Sequence, residues 1–445
     1  MTFRKKYNCF EIIKKSINKN NEPICVWGVG YIGLSTASFF AKNKKKAIGF
    51  DIDKKLISNL NKGKLKNSDF QKWLGFSIKN LVDKKNLYFS NKVSVIKKFD
   101  PKVHFICIPT EKNGKPYLNI LNNIIQIIKK NFSKGLIIIE STLTPGTSEK
   151  LIKKYLYKKL NNKEFFFSVA PRRDWFVDNS KNLEKMDRVF GGWNEESTLL
   201  TKMILSKVCK KIHPASNFEI SELVKSFENA YRHVDIALAN QLSLAYPNLN
   251  VREALKLVGT KWNIGTFYPG FGSGGYCIPV SSKYVIDGSS KQKELSILKE
   301  TIKTDTSINL KIANSIITQG FNKIAILGLS YKEDLKVHAL SPIIPFVQKL
   351  KKKRKSVSLF DPFYNNSEIK KILNIGSFNI NKDIKKFDCV VYHVNHKFFK
   401  KQKKNILKNI RCKLFLDNTG EFNNQKNYFK KKNIKYKITG ASKWI

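Results

Sequence analysis

The feature that most constrains the fold of this chain is a glycine triplet that follows a short apolar run. The run Ile24–Trp27 is predicted to be a buried strand, and Gly28, Gly30 and Gly33 come directly after it. The first glycine permits a tight turn, the second lets a pyrophosphate approach the backbone, and the third lets the next helix pack on the strand. The triplet therefore predicts a dinucleotide-binding turn at the start of a parallel sheet.

An acidic residue after the second strand indicates which dinucleotide binds. Asp51 follows the predicted strand Ala47–Phe50, about 20 residues beyond the first glycine. A carboxylate there accepts hydrogen bonds from the ribose hydroxyls and repels a 2′-phosphate, so NAD is favoured over NADP. The alternative is a glycine-rich turn without a ligand. Further predicted cofactor contacts lie at the helix start or after later strands, namely Tyr31, Ile32, Thr110 and Thr142. Thr147 is predicted to cap the helix that follows it.

Composition limits the class of protein. The chain has 445 residues, 42% of them hydrophobic, which predicts two or three globular domains. No run reaches the roughly 18 apolar residues of a membrane span, and the Lys-rich first 21 residues do not resemble a secretory signal. The seven cysteines are scattered without C-x-x-C spacing, which argues against a disulfide framework or a zinc site and favours the reducing cytoplasm. Cys25, Cys107 and Cys389 are predicted to lie in the core.

The net charge of +49 comes almost entirely from lysines spread along the whole chain. Such a spread favours a solvated surface set by composition over a nucleic-acid-binding face, which remains the alternative. The resulting field attracts anionic ligands such as nucleotide diphosphates.

Strand and helix patterns divide the chain into three regions. Strand–helix alternation from Pro23 to Ile212 predicts a doubly wound parallel sheet, with strands at Ile24–Trp27, Ala47–Phe50, Val103–Ile108, Leu136–Glu140 and Phe165–Ala170. Apolar residues then recur at helical spacing from Ser221 to Tyr246, before Pro247, and a second helical stretch covers residues 292–317. Alternation returns from Lys323, with strands at Lys323–Leu327, Ser356–Phe360, Cys389–Tyr392 and Leu414–Leu416.

A cysteine closes the most glycine-rich run of the chain. Between Tyr268 and Pro279 the sequence places four glycines in six positions, and Cys277 follows them. Bare backbone lets a ligand approach closely. The thiol is thus predicted to act as a nucleophile beside the bound ligand.

Five motifs in order resemble the UDP-glucose/GDP-mannose dehydrogenase family and extend the likeness from about residue 23 to 445. They are Gly28–Leu34, Glu140–Thr147, Glu222–Lys225 with Asn229, Gly274–Pro279, and Gly328–Lys332 with Ser341–Pro342. The resemblance implies an α/β fold in which two Rossmann-like, doubly wound domains are joined by a central helical dimerisation region with one long helix. It implies an NAD-binding domain at 23–212, the helical region at 213–318 and a UDP-sugar-binding domain at 319–445, and residues 1–22 before them are predicted to be a short leader or a first helix.

The resemblance also implies a reaction. Family members oxidise the C6 alcohol of a sugar nucleotide to a carboxylate with two NAD and one cysteine, so Cys277 would form a thiohemiacetal and then a thioester. Lys225 and Asn229, four residues apart on the long helix, would stabilise a developing oxyanion. The implied substrate-binding residues are Tyr268, Gly270, Gly274, Tyr331 and Lys332.

Three positions depart from the family pattern. Arg172 and Ser281 stand where the family usually has catalytic carboxylates, and Ala339 stands where it has a ligand-binding arginine. Arg172 is predicted to bind a substrate phosphate or sugar carboxylate. Asp174 either replaces a lost carboxylate or pairs with the neighbouring arginines. A member limited to a two-electron oxidation, or to nonenzymatic binding of a nucleotide sugar or nucleic acid, remains an alternative.

The substrate prediction depends on one arginine. Arg232 follows Asn229 by three residues, as in the branch of the family that acts on UDP-N-acetylhexosamines, and it is predicted to bind substrate. UDP-glucose is the alternative substrate. His233 is predicted to lie on the helix surface. The uronic acid product would serve surface polysaccharide synthesis.

Overall fold

The computed structural model describes residues 8–65, 68–112, 114–176 and 178–445. The chain forms two compact units. The first unit extends to Glu228 and includes Asp287–Ser290, and the second unit holds Asn229–Ile286 and Lys291–Ile445. The three-domain division stays a prediction.

The first unit is built around a mainly parallel sheet. Its strands are β1 Ile24–Trp27, β2 Ala47–Phe50, β3 Leu87–Ser90, β4 Val103–Ile106, β5 Glu111–Lys112, β6 Lys115–Pro116, β7 Gly135–Ile139, β8 Phe165–Val169, β9 Arg188–Gly192 and β10 Ile212–Pro214. The strand order is β10-β9-β8-β7-β4-β1-β2-β3, and β5 and β6 form a separate hairpin. The predicted strands of this sheet pair parallel, and β9, which was not predicted, pairs antiparallel with β8.

Helices cover both faces of this sheet. They are α1 Cys9–Asn18, α2 Tyr31–Lys42, α3 Lys54–Asn61, α4 Ser68–Leu74, α5 Ile78–Asp83, α6 Val93–Phe99, α7 Asn119–Asn131, α8 Thr147–Leu151, α9 Tyr157–Asn161 and α10 Glu195–Leu205, with a π-helical turn Ile152–Leu156 between α8 and α9. Alternate residues of β1 enter different cores: Ile24 and Val26 join one cluster, and Cys25 and Trp27 join the other. Burial on both faces explains why the strands are continuously apolar.

The N-terminal helix α1 belongs to the first unit. Ile13 and Ile17 are fully buried in the core. The buried Lys45 donates to the carbonyl oxygens of Ser16 and Lys19, both at 2.6 Å, at the C-terminal end of the helix, where a cation is favoured. Residues 9–18 therefore form a packed first helix, one of the two alternatives predicted for this segment; its first seven residues lie outside the described residues.

The second unit contains the remaining elements around a fully parallel sheet. Its helices are α12 Val251–Val258, α13 Ile278–Gly288, α14 Ser296–Thr318, α15 Ile343–Lys352, α16 Asn366–Leu373, α17 Lys397–Asn409 and α18 Lys426–Lys431, and its strands are β11 Lys323–Leu327, β12 Ser356–Phe360, β13 Cys389–Tyr392, β14 Leu414–Asp417 and β15 Lys435–Ile438. The strand order is β12-β11-β13-β14-β15. Alternate residues of β11 again enter two cores, which confirms the second doubly wound sheet.

One long helix carries residues of both units. The helix, Phe218–Ala245, is numbered α11 by its place in the chain, and it ends before Pro247 as predicted. Proline cannot continue a helix, because it lacks the amide hydrogen and its ring clashes with the preceding turn. None of the described helices combines the length and apolar character needed to cross a bilayer.

Candidate active site

The glycine turn of the first unit has the geometry that a pyrophosphate site needs. Gly28 has a φ of +85°, and a Cβ there would lie 2.6 Å from the carbonyl oxygen of Cys107. A Cβ on Gly33 would lie 1.8 Å from the carbonyl oxygen of Gly28, so only glycine permits this helix–strand contact. A Cβ on Gly30 would meet no atom within 4 Å, so the space beside its backbone is open to a ligand at the start of α2. These residues fit a dinucleotide.

Asp51 is fixed at the end of β2 by two backbone donors. Its carboxylate oxygens accept from the amides of Val29, at 3.0 Å, and Asp53, at 3.1 Å. A carboxylate oxygen carries a second lone pair, so both remain able to accept from ribose hydroxyls. Tyr31 is 53% exposed at the first turn of α2, and the neighbouring Ile32 is half-buried.

The two threonines predicted to bind cofactor contact each other. The Thr110 hydroxyl donates to the carbonyl oxygen of Thr142 at 2.5 Å and joins the loops after β4 and β7. Thr110 is buried and Thr142 is half-buried. This bond gives Thr110 a role in shaping the loop, and its contact with the cofactor stays a prediction.

The cap of α8 comes from a distant carboxylate and not from Thr147. Gly146 precedes the helix with a φ of +84°. Glu222 of α11 accepts the backbone N–H groups of Thr147, at 3.1 Å, and Ser148, at 3.0 Å. The prediction for Thr147 was wrong because its own amide is one of those that need a cap. Burial raises the pKa of Glu222.

Arg172 lies inside the first unit, with 2% of its side chain exposed. Its guanidinium donates to the hydroxyls of Ser35, at 2.9 Å, and Thr36, and it pairs with Asp174 and Glu140. Arg172 is thus enclosed by partners of its own unit, and its predicted substrate contact stays a prediction. Of the two roles predicted for Asp174, the structure shows the pairing with a neighbouring arginine, Arg172.

The centre of this buried network is Glu140, which the sequence showed only as part of a motif. It accepts hydrogen bonds from Thr36 at 2.5 Å and from Arg188, which is also buried. Burial alone would raise the pKa of Glu140, but Arg188 and Arg172 together outweigh burial and hold it below its usual value. The signal available in the sequence was the arginine at 172, where the family usually has a carboxylate.

In the second unit, Cys277 is exposed directly before α13. The other cysteines are buried, apart from the half-buried Cys9. The positive end of a helix dipole stabilises negative charge at this position, on sulfur or on an oxygen bonded to the same carbon as the sulfur.

The glycines before Cys277 pack against Tyr331. A Cβ on Gly274 would lie 2.4 Å from the Tyr331 Cβ, and one on Gly275, whose φ is +80°, would lie 2.6 Å from the Tyr331 hydroxyl oxygen. The amide of Gly275 donates to the carbonyl oxygen of Ala339 at 2.8 Å. Glycine is therefore required because the segment that follows β11 covers the loop backbone.

Lys332, a predicted substrate-binding cation, lies within electrostatic range of both Cys277 and Arg232. Burial and then the charge of Arg232 lower the pKa of Lys332 to about 8, whereas the charge of Cys277 acts in the opposite direction. Burial raises the pKa of Tyr331, and the charge of Cys277 adds to that effect. An exposed thiol, the cation Lys332 and bare backbone thus lie in one region of the second unit.

The long helix α11 presents polar side chains to α13. The Asn229 amide donates to the Ser281 hydroxyl at 3.0 Å. His233 is buried with 1% of its side chain exposed, so the prediction of a helix-surface histidine is wrong. Lys225 lies on the part of α11 that belongs to the first unit, 3.9 Å from Glu228.

The loop that contains Tyr268 and Gly270 has its own supports. The Gly270 amide donates to Asn240 at 2.9 Å. The guanidinium of Arg252 stacks over the Tyr268 ring at 4.4 Å and donates to the carbonyl oxygens of Thr419 and Thr439. Sequence reasoning missed Arg252, which stands in an ordinary amphipathic helix. Within the described ranges, no three His, Cys, Asp or Glu side chains are grouped to hold a metal.

These features define a class before any comparison is made. The first unit is a dinucleotide-binding unit with an NAD-type acid, and the second unit exposes a thiol among cations and glycines. The class is that of oxidoreductases that combine hydride transfer with a nucleophilic sulfur.

Comparison with known proteins identifies the family. Models of the UDP-glucose/GDP-mannose dehydrogenase family match the chain in order: the NAD binding domain at residues 22–213, the central domain at 219–309 and the UDP binding domain at 325–423. The UDP-N-acetyl-D-mannosamine dehydrogenase of Methanococcus aeolicus is 30% identical, covering 97% of this chain and 99% of that protein. The UDP-N-acetyl-D-glucosamine 6-dehydrogenase of Salmonella typhi is 26% identical over 85% of this chain and 90% of its own.

A solved structure supports the same family assignment. The UDP-D-ManNAc dehydrogenase of Pyrococcus horikoshii matches with a TM-score of 0.80 and 26% identity, covering 95% of this chain and all of that one. The chain belongs to the UDP-glucose/GDP-mannose dehydrogenase family, and it is an NAD-dependent nucleotide-sugar dehydrogenase.

Proposed function

We propose that this enzyme oxidises the C6 alcohol of a UDP-N-acetylhexosamine to the uronic acid through a covalent bond to Cys277. The observation that carries the proposal is the exposed thiol at the start of α13, in the electrostatic range of Lys332 and next to a glycine loop packed on Tyr331. NAD, when bound, accepts the hydride of each of the two oxidations.

The chain's own residues supply the rest of the chemistry. The Cys277 sulfur attacks the C6 aldehyde, a C–S bond forms, and the carbonyl oxygen takes a proton to give a thiohemiacetal. Loss of a hydride and a proton leaves a thioester, and water then breaks the C–S bond to release the acid and the thiol. Asn229 and Lys225 stabilise negative charge on oxygen during these steps. Lys332 and Arg232 bind the anionic substrate.

The dinucleotide would be held by the first unit. Gly28, Gly30 and Gly33 shape the pyrophosphate turn, and Asp51 receives the ribose. Tyr31, Ile32, Thr110 and Thr142 are the further proposed contacts.

The N-acetylhexosamine is proposed because of Arg232 and the relatives. The two curated relatives described above are named for N-acetylated mannosamine and glucosamine substrates. The experiment is a comparison of kcat/KM for UDP-N-acetylmannosamine, UDP-N-acetylglucosamine and UDP-glucose, with the acid product identified by mass spectrometry. At least a tenfold preference for one of the N-acetylated sugars supports the proposal, and a preference for UDP-glucose refutes it.

Replacement of the family carboxylates makes a two-electron reaction the second candidate. Ser281 hydrogen-bonds Asn229, and Arg172 is buried, so neither offers a base to activate water. Release of the aldehyde after one NADH would favour this candidate, and binding without turnover would favour a nonenzymatic role.

We also propose a homodimer in the cytoplasm. A run of exposed apolar side chains on and around α12 supports the dimer, since such surfaces mark protein interfaces; it comprises Leu249, Leu257, Val258, Trp262 and Ile264. All seven cysteines are free, which fits a reducing compartment. The acid product is proposed to enter a surface polysaccharide.

A further inference from the structure

A buried network of four polar side chains lies behind the loop that carries Cys277. His233 on α11 and Asp305 on α14 have 1% and 5% of their side chains exposed. Ser273 of the glycine loop and Ser282 of α13 complete the network. The reaction described above makes no use of these groups.

Asp305 holds the loop before the thiol. Its carboxylate accepts the amide of Ser273 at 2.8 Å and the Ser273 hydroxyl at 2.7 Å, and it faces the Nε2 atom of His233 at 3.3 Å. The preceding Gly272 has a φ of +108°, and a Cβ there would lie 2.7 Å from the Asp305 carbonyl oxygen. The loop is thus pressed onto α14, with Ser273 four residues before Cys277.

His233 connects the same carboxylate to the helix after the thiol. The Nε2 atom of His233 lies 3.3 Å from the Asp305 carboxylate and 3.5 Å from the Ser273 hydroxyl, which itself donates to Asp305. The Nδ1 atom lies 2.8 Å from the hydroxyl oxygen of Ser282, five residues after Cys277. The pair therefore fixes the chain on both sides of the sulfur.

Burial of a carboxylate costs free energy unless the group is paired and hydrogen-bonded. The presence of such a network behind the loop therefore indicates that it has a function. Attack on an aldehyde requires the sulfur to lie close to the carbon and in line with its carbonyl, and small displacements reduce the rate strongly. A rigid support on both sides of the nucleophile meets this requirement.

We infer that His233 and Asp305 are positioning residues that orient Cys277 for attack on the C6 aldehyde. The inference rests on the proposed function. The first oxidation, in which the alcohol loses a hydride to NAD and a proton to a base, does not use the sulfur. The second does, because the hydride leaves a carbon that must first be bonded to Cys277. Loss of the pair therefore slows the second oxidation more than the first.

The test compares variants that differ in which contact they remove. Asp305→Asn and His233→Phe disrupt the pair at similar side-chain size, and the milder Ser273→Ala removes one hydroxyl bond and keeps the pair intact for folding. The control is Gln241→Leu, which removes a 2.9 Å hydrogen bond from α11 to Thr304 of α14 without touching the loop.

Two readouts are used. The first readout is the amount of aldehyde released with limiting UDP-sugar and excess NAD, captured with phenylhydrazine. We expect Asp305→Asn and His233→Phe, the pair variants, to release at least tenfold more aldehyde than wild type. The amount released by Ser273→Ala should lie between that of wild type and that of the pair variants. Without any ligand, the rate of iodoacetamide alkylation at Cys277, followed by peptide mass spectrometry, is expected to change at least threefold. The control is expected to match wild type in both.

Outcomes separate this inference from the proposed function. If folded Ser273→Ala and either pair variant show wild-type aldehyde release and wild-type alkylation, the inference is overturned although the proposed function stands. If first and second oxidation slow equally and alkylation is unchanged, the pair is only structural and the inference is again overturned. If wild type itself reduces no NAD with any UDP-sugar, the proposed function fails, while altered alkylation still supports the positioning of the thiol.

Discussion

At the scale of single residues, the environment of each ionisable group decides what it can contribute. Lys332 and Arg172 are both cations that sequence reasoning assigned to substrate. Lys332 is partly buried near Cys277 and has a lowered pKa, whereas Arg172 is enclosed by acceptors of its own unit. Arg172 is already paired within its own unit, and Lys332 is the cation that we propose to bind the anionic substrate.

The pKa of Lys332 predicts a pH dependence of substrate capture. With a pKa of about 8 in the free enzyme, the ammonium is charged below that pH and neutral above it. We expect kcat/KM for the UDP-sugar to fall as pH rises through about 8. Lys332→Arg should remove this inflection, because arginine stays charged. Lys332→Met should lower kcat/KM roughly ten- to hundredfold below pH 8, as expected for a lost charge-assisted hydrogen bond.

The measurement is kcat/KM from initial NADH rates between pH 6.5 and 9.5, at saturating NAD. An inflection near pH 8 that persists unchanged in Lys332→Arg would show that another group controls it.

Sequence patterns predicted residues whose role depends on backbone geometry and missed those whose role depends on packing. The glycine turn at Gly28 was found because a positive φ and a close contact leave glycine as the only choice. The burial of His233 was missed because the helical pattern around it did not show that two further helices cover that face. The cap of α8 by Glu222 joins residues 75 apart in sequence, a distance that no local pattern spans.

At the scale of elements, buried charge ties strands and helices of the first unit together. Arg172 and Arg188 join the segment after β8 and the strand β9 to Glu140, at the end of β7, and Arg172 also reaches α2. Most strands that were predicted correctly are buried apolar runs, and β12 is the partly exposed exception. Those that were missed, β3, β5, β6, β9, β10 and β15, are short or rich in polar residues and glycine, so tertiary pairing decides them.

Removing one partner of this network should be far more costly than removing a similar surface pair. We expect Arg172→Met to lower the free energy of unfolding by about 3–5 kcal/mol, because Glu140 and Asp174 lose a buried partner. The adjacent Arg173→Met removes a more exposed pair with Glu228 and should cost roughly 1 kcal/mol or less. Thermal melts of the two variants provide the comparison. Equal losses of the free energy of unfolding would mean that the buried network stabilises the fold no more than the Arg173–Glu228 pair does.

At the scale of the whole molecule, charge and exposed apolar surface govern association. The net charge of +49 is spread along the chain, so it should act on any polyanion without sequence preference. The exposed apolar residues, by contrast, concentrate around α12, where Trp262 is 92% exposed and Leu257 is 63% exposed.

The apolar run around α12 predicts a dimer that two introduced charges disrupt. We expect wild type to sediment as a dimer at micromolar concentration, and Trp262→Lys combined with Leu257→Lys to sediment as a monomer, because two desolvated lysines oppose association. Leu199→Lys on α10, where Leu199 is 47% exposed, is the matched control and should stay dimeric. Analytical ultracentrifugation decides this, and a monomeric wild type would contradict the proposal.

The diffuse positive charge predicts a salt effect on substrate affinity. We expect KM for the UDP-sugar to rise several-fold between about 50 and 500 mM NaCl while kcat changes little, because screening weakens attraction of the diphosphate. Filter binding to DNA should be weak near 150 mM NaCl. Tight DNA binding with a steep salt dependence would instead favour a nucleic-acid partner.

The central claim is that Cys277 forms the covalent bond that makes the second oxidation possible. Its most direct test is the amount of NADH formed per UDP-N-acetylhexosamine consumed to completion, with the acid measured in the same sample, for wild type and Cys277→Ser. The account predicts two NADH and one acid per sugar for wild type, and loss of acid formation with at most one NADH for the serine variant. Two NADH and one acid from Cys277→Ser at the wild-type rate would contradict it.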